Sequence, residues 1–156
     1  MTGILAMLAI VALLAGSPAP LPRAERTIGN LRVDMAVGKA AFQPGEPVAV
    51  VMSVTNMSSA PVVVTMTSAQ QYDVVVRQRG ALIWQWSHDK AFAQVLRDID
   101  MAPGGTLTYQ VAWDQRDLQG RRVEPGAYDV SCLFLGVQRP GPPSVEVGPV
   151  RIAIGR

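Results

Sequence analysis

Hydrophobic residues alternate with polar or small ones over most of the chain from position 27 onward. In 31–37 the large apolar side chains fall at every second position, and the same period recurs in 106–113. A period of two is typical of β-strands, whose successive side chains point to opposite faces. The pattern predicts about eight or nine strands. Eight of them lie at 31–37, 48–54, 62–66, 72–77, 82–86, 106–113, 128–135 and 145–154. So many strands with short connections indicate an all-β, antiparallel β-sandwich.

Turn residues separate these strands. Pro44-Gly45, Pro103-Gly104 and Pro125-Gly126 each stand just before a strand. Proline fixes φ at the first central position of a turn, and glycine accepts the positive φ that a type II turn needs at the second. Arg79-Gly80 predicts a tight hairpin between two strands.

One stretch departs from the period of two. Phe92, Val95, Leu96 and Ile99 stand at positions i, i+3, i+4 and i+7, which is the spacing of one helix face. Ser87 or Asp89 could cap such a helix at its N-terminus. The spacing therefore predicts one short helix of about two turns in a crossover loop.

The first 22 residues do not share the strand pattern. Residues 4–15 are an unbroken apolar run, and the proline-rich residues 17–22 that follow would serve as a short, stiff tether. The run has the length of a signal-peptide core and is short for a membrane-spanning helix. We therefore interpret residues 1–22 as a signal-like or anchor segment. This segment predicts that the protein is exported or anchored in the membrane at its extracytoplasmic face. If the run is not a signal, we expect the protein in the cytoplasm.

The amino-acid composition limits the kinds of binding site that the chain can form. The net charge of +2 comes from 14 Lys and Arg against 12 Asp and Glu, without a basic cluster that would favour nucleic acid. Cys132 is the only cysteine and His88 the only histidine, so neither an intrachain disulfide nor a zinc site of several Cys and His ligands can form. Cys132 lies in phase with Tyr128, Val130 and Phe134, which predicts a small buried side chain. We expect no cofactor.

The stretch Trp84-Gln85-Trp86-Ser87 is the most distinctive in the chain. In a strand, Leu82, Trp84 and Trp86 would share one face, and Ile83, Gln85 and Ser87 the other. We expect Leu82 and Trp84 to pack in the core and Trp86 to close its open end under the helix. The alternative is an exposed aromatic ledge that binds a partner protein or a sugar.

The neighbouring Ser87, His88 and Asp89 contain the residue types of a hydrolase triad. A triad needs its three side chains in line, whereas neighbours at a strand end point in different directions. A G-x-S-x-G nucleophile motif is also absent from the sequence. We therefore expect the protein not to be an enzyme.

Several of these residues together resemble the BsuPI family of intracellular proteinase inhibitors. The resemblance covers about 31–134. Its residues are Phe42, Pro44-Gly45, Asn56, Ser68 to Val74, Gly80, Trp84 to Ser87, Phe92, Pro103-Gly104, Trp113, Gly120, Pro125-Gly126 and Tyr128. The resemblance implies an immunoglobulin-like fold for a single domain at 27–156. It also implies inhibition of a subtilisin-like serine proteinase by protein–protein contact, in the bacterial cytoplasm.

Two segments could make that contact. The first, 87–92, lies among the residues that resemble the family. The second, 136–144, is stiffened by prolines and joins two strands. Such prolines are also common in a connector that binds nothing. The candidate partner-binding residues are Trp86, Ser87, His88, Asp89, Lys90, Gln138 and Arg139. The alternative function is a non-inhibitory binding or structural module of the cell envelope, tethered by its N-terminus.

Overall fold

The computed structural model describes residues 19–155; the apolar run at 4–15 lies outside them. These residues form twelve β-strands and no helix. None of them belongs to a helix that could span a membrane. The strands are β1 (Arg23–Ile28), β2 (Leu31–Val37), β3 (Ala41–Phe42), β4 (Val48–Asn56), β5 (Val62–Met66), β6 (Tyr72–Gln78), β7 (Ala81–Gln85), β8 (Arg97–Met101), β9 (Thr106–Trp113), β10 (Gly126–Phe134), β11 (Gly136–Val137) and β12 (Val145–Ile154).

Two larger sheets enclose the core. One has the strand order β1-β2-β4-β9 and the other β3-β12-β10-β6-β7. Neighbouring strands are antiparallel except for β3, which pairs in parallel with β12. Alternate residues of both sheets are buried in one hydrophobic cluster, as in β2, where every second side chain is buried. This arrangement confirms the predicted all-β sandwich and places all eight predicted strands.

A third, smaller sheet of β11-β5-β8 extends the sandwich at one end. β5 continues β4 after a short interruption, and β8 leads into β9 in the same way. Asn56 holds this interruption together from a fully buried position. Its side-chain Nδ2 donates to the carbonyl oxygens of Ala60, Met101 and Ala102 at 2.8, 3.0 and 3.2 Å.

The predicted helix at 92–99 is wrong. Residues 90–96 have no regular structure, and Ile99 lies in β8, paired with Val64 of β5. The four residues with helical spacing do not share a face, because Phe92 packs against Trp86 while Val95 and Leu96 are exposed. Backbone pairing with β5 outweighs the helical spacing, which is coincidental here.

The predicted β6–β7 hairpin is confirmed, but the first side chains of β7 lie on the opposite faces from those expected. Arg79 and Gly80 have φ values of 51° and 83°, as a type I′ turn requires. A bulge in β7 then sets Trp84 opposite Val76 but Leu82 opposite Arg77, leaving Ile83 as the extra residue. Leu82 is therefore 43% exposed, and Ile83 packs against the core in its place. The expectation of a buried Leu82 is wrong for this reason.

Strand β1 is an addition to the predicted set. It begins at Arg23, before the domain start at Thr27 that the sequence suggested, and pairs with residues 31–36 of β2. Its sequence, Arg-Ala-Glu-Arg-Thr-Ile, carries little apolar alternation because it is an edge strand with mostly exposed side chains.

The chain is also fastened where β10 begins. Tyr128 is buried, and its hydroxyl donates to the carbonyl oxygen of Glu124 at 2.6 Å. Its ring meets Trp113 edge-on, with 5.7 Å between the ring centroids. This contact fixes the loop that leads from β9 into β10.

Candidate functional site

A buried carboxylate organises the end of β7. Asp73 lies in β6 and is 4% exposed. Its Oδ2 accepts hydrogen bonds from Gln85 Nε2 at 2.7 Å, Gln70 Nε2 at 3.2 Å and the Ser87 hydroxyl at 2.5 Å. Its Oδ1 accepts from the backbone N–H groups of Val74 at 2.9 Å and Ser87 at 3.1 Å. The candidate residue Ser87 is therefore held inside this network.

The same network argues against a triad. The Ser87 hydroxyl donates to a carboxylate rather than to the imidazole of His88, which occupies the exposed turn beyond it. A catalytic serine needs its histidine as the acceptor. Ser87 consequently has a positioning role at the end of the hairpin.

The tryptophans turn toward the core, on the face opposite Gln85 and Ser87. Both are half-buried and pack against the hydrophobic cluster. Trp86 stacks on Tyr72 at 4.4 Å between centroids, and Tyr72 in turn stacks on Tyr109 of the opposite sheet at 4.6 Å. Burial raises the pKa of Tyr109 to about 12. These stacked rings close the side of the sandwich between β7 and β9, as expected, although without a helix over them.

Trp86 has little free ring surface for a ligand. Besides Tyr72, it packs against Phe92, with centroids 5.8 Å apart. The ammonium group of Lys90 lies 4.8 Å from its centroid in a cation–π contact. Because these neighbours already pack on the ring, Trp86 does not provide the exposed aromatic ledge that the alternative interpretation requires.

Four of the candidate residues line one cleft. Trp86, His88, Asp89 and Lys90 form one wall of a cavity of about 400 Å³ beside β7. The opposite wall comes from the loop between β9 and β10, including Asp114, Arg116 and Asp117. The charges pair within each wall, Lys90 with Asp89 at 2.9 Å and Arg116 with Asp114 at 3.5 Å. The Lys90 contact lowers the pKa of Asp89. The cleft thus presents neutralised ion pairs rather than a strong field.

The two candidates from the second segment, Gln138 and Arg139, lie in a different place. Gln138 and Arg139 follow β11 at the outer end of the small sheet. The Gln138 Oε1 accepts a hydrogen bond from the backbone N–H of Asn30 at 3.3 Å. Arg139 lines a shallow depression whose other lining residues are Thr65, Leu96, Arg97 and Asp98. The structure therefore brings Arg139 together with Leu96 and not with the tryptophans.

Leu96 is the prominent feature that sequence reasoning missed. Its side chain is 75% exposed, the highest exposure of any large hydrophobic residue in 19–155. Val95 beside it is 52% exposed. The adjacent apolar pair in a polar context was the available signal, but the helical spacing assigned both residues to a buried face.

The described part of the chain contains neither a metal-binding group nor an accessible thiol. Across residues 19–155, no group of three or more His, Cys, Asp or Glu side chains is placed to hold a metal ion. Cys132 is fully buried, as its phase predicted, and burial raises the pKa of its thiol to about 12.

We expect Cys132 to be inert in the native protein. An aromatic disulfide reagent at pH 8 should label no thiol in the folded chain and one thiol per chain after denaturation in guanidinium, because attack needs an accessible thiolate. The measurement is the absorbance of the released thiolate. Stoichiometric labelling of the native protein would contradict the burial of this residue.

Comparison with known proteins decides the family. The sequence pattern of BsuPI, described as intracellular proteinase inhibitor, matches residues 35–139, about two thirds of the 156-residue chain. The chain belongs to the BsuPI family. BsuPI is described as a family of proteinase inhibitors, which confirms the expectation that this domain is not an enzyme and implies a protein partner for the family. A search of curated proteins gave no match.

Solved structures share only a general likeness with this BsuPI domain. The DNA glycosylase AlkC of Pseudomonas fluorescens is 13% identical with a TM-score of 0.46, over 81% of this chain and 31% of that one. Spo0M, a sporulation control protein of Bacillus subtilis, is 16% identical with a TM-score of 0.45, over 83% and 51%. The CARDB domain of PF1109 from Pyrococcus furiosus is 13% identical with a TM-score of 0.44, over 81% and 94%. The chain thus spans about a third of the glycosylase, and no function is transferred from these proteins.

Proposed function

We propose that this BsuPI-family domain inhibits a subtilisin-like serine proteinase by non-covalent contact with its substrate cleft. A proteinaceous inhibitor of this kind presents an exposed segment that is already ordered before binding, so that little conformational entropy is lost on association. Family membership supports the inhibitor class. The choice of proteinase and the contact segment are our inference.

The main support for this proposal is the exposed segment 90–96. It has no regular structure, and six of its seven residues are exposed, Phe92 being the exception. Phe92 packs on Trp86 near one end, and β8 begins directly after the other. An exposed segment with both ends fixed to a rigid sandwich is the form in which an inhibitor enters a proteinase cleft.

An immunoglobulin-like arrangement of the sandwich is part of this proposal. The bond from the Tyr128 hydroxyl to Glu124, four residues upstream, corresponds to the tyrosine corner found at the start of a strand in immunoglobulin-like domains. The fully buried Trp113 beside it supports the same assignment. Such sandwiches present binding segments at their ends, where the small sheet and segment 90–96 lie.

The binding test compares two forms of one subtilisin-type proteinase. Calorimetry measures binding of the full chain to the active proteinase and to the same proteinase with its catalytic serine modified by a small aromatic sulfonyl fluoride. We expect saturable binding to the active form and at least about tenfold weaker binding to the blocked form, since the sulfonyl group occupies the cleft. Equal binding to both forms would contradict contact at the cleft. An absence of binding to either would favour the tethered envelope module.

We further propose that residues 1–22 direct the domain to the extracytoplasmic face of the membrane, by export or by anchoring. The support is the apolar run at 4–15 followed by a proline-rich tether. Cell fractionation with an antibody to the domain tests this. Recovery of the full-length chain only from the cytoplasmic fraction would contradict it.

A further inference from the structure

We propose that Leu96 is the specificity residue of the inhibitor, the side chain that enters the S1 pocket of the proteinase. This inference rests on the proposed function and adds the residue that selects the target. It predicts a target whose S1 pocket is apolar and large enough for leucine, because the S1 pocket sets the preference of a serine proteinase.

The exposure of Leu96 is unusual for its residue type. Leucine is among the residues most often buried in proteins, whereas three quarters of this side chain is open to solvent. The neighbouring Val95 is exposed as well, so the chain presents two apolar side chains in succession at this end. A partner pocket that covers Leu96 would remove this apolar surface from water.

The backbone around Leu96 is held on both sides. On the N-terminal side, the carbonyl oxygen of Ala93 accepts a hydrogen bond from the backbone N–H of Ala69 at 2.9 Å. On the C-terminal side, Arg97 begins β8 and pairs with Met66 of β5. Residues 94–96 therefore form a short span between two anchors. A cleft can engage this span without first ordering it.

Strand β8 also offers its free edge to the partner. In residues 19–155, β8 is the outermost strand of the small sheet, paired with β5 on one side alone. Extended peptides commonly bind by adding backbone hydrogen bonds to such an edge. Leu96 directly precedes this edge, so insertion of its side chain and pairing of the following residues can occur together.

The surroundings of Leu96 are polar and suit the rim of an interface. Thr65, Arg97, Asp98 and Arg139 line the depression beside it. The Thr65 hydroxyl donates to Asp98 Oδ1 at 2.7 Å, which keeps that carboxylate beside the apolar side chain. A central apolar anchor with a polar rim is the usual composition of a protein–protein contact.

Competing segments are less suited to the S1 pocket. In the proline-rich loop, a β-carbon at position 141 would collide with the carbonyl oxygen of Gln138 three residues earlier, so the chain is folded back there rather than extended. The ring of Trp86 is occupied by its aromatic neighbours and Lys90. Leu82 is exposed too, but it belongs to a paired hairpin strand.

Inhibition constants of three full-length variants test the assignment. The proteinase is a subtilisin type with an apolar S1 pocket. Leu96→Asp should weaken inhibition by about 100-fold or more, as for a central anchor residue, whereas the matched control Leu82→Asp should change it by less than about threefold. Both substitutions replace an exposed leucine, so circular dichroism should show two folded proteins. A third variant, Leu96→Lys, should gain inhibition of trypsin, whose S1 pocket contains an aspartate.

The outcomes separate the two proposals. If the wild-type chain inhibits and Leu96→Asp inhibits equally well, the assignment of Leu96 is wrong while the proposed function stands. If both Asp variants lose inhibition equally, Leu96 is likewise not the specificity residue. If the folded wild-type chain inhibits no subtilisin-type proteinase, the proposed function itself fails. Loss with Leu96→Asp alone, together with the gain on trypsin, establishes Leu96 in the S1 pocket.

Discussion

Replacing Asp73 with asparagine is expected to lower the free energy of unfolding by about 3 kcal/mol. The carboxylate accepts five hydrogen bonds, three of them at Oδ2. An asparagine NH₂ group at the Oδ2 position would face the donor groups of Gln70 and Gln85, so these bonds would be lost. A buried network that is only partly satisfied is strongly destabilising. Denaturant unfolding of Asp73→Asn against the wild type measures the loss.

Asp98→Asn is the matched control. Asp98 is exposed and accepts one side-chain hydrogen bond from Thr65, so water can replace what the substitution removes. We expect this variant to lose less than about 1 kcal/mol. If Asp73→Asn were no more destabilised than Asp98→Asn, the carboxylate network would not be what holds the end of the β6–β7 hairpin.

The second large effect is expected at Asn56. Asn56→Ala should cost about 2–4 kcal/mol, since it removes the donor that serves three backbone carbonyl oxygens and the acceptor for Ser58. These contacts tie β4 and β5 to the segment between β8 and β9. The loss should therefore loosen the small sheet first, which amide hydrogen exchange of β5 and β8 would detect.

The chain contains a suitable control for this variant as well. Asn30 is the other asparagine and is exposed, so Asn30→Ala should change the free energy of unfolding by less than about 0.5 kcal/mol. Unchanged exchange rates in β5 and β8 of a destabilised Asn56→Ala protein would argue that Asn56 stabilises the sandwich as a whole rather than the junction between the sheets.

The sandwich could be predicted because its strands are half-buried. Where one face of a strand packs in the core, alternation appears in the sequence, as in β2 and β9. Strand β1 escaped prediction because most of its side chains are exposed and only Ala24 and Ile28 pack partly against the core, which leaves little alternation in the sequence. Edge strands are held mainly by backbone hydrogen bonds, which leave little trace in a sequence.

The two errors of detail have local causes. Residues 92–99 carry helical spacing by coincidence: 92–96 have no regular structure, and 97–99 pair with β5, which the spacing cannot reveal. The bulge at Ile83 exchanged the faces of Leu82 and Ile83, whereas Trp84 and Trp86 kept the expected face. A one-residue bulge reverses the side-chain pattern on one side only.

The site was only partly visible in the sequence. Asp73, Gln85 and Ser87 are among the residues that resemble the BsuPI family. Their shared hydrogen-bond network becomes apparent only when β7 lies beside β6. His88, Asp89 and Lys90 line the cleft beside β7, while Arg139 proved to neighbour Leu96. Contacts between residues more than forty positions apart depend on topology, which period and spacing do not specify.

The most direct test of the account is a titration of a subtilisin-type proteinase with the full chain, following cleavage of a small peptide substrate. The account predicts saturable inhibition with one chain bound per proteinase and with the chain recovered intact at the end. Undiminished cleavage at excess folded chain, or steady degradation of the chain as a substrate, would contradict it.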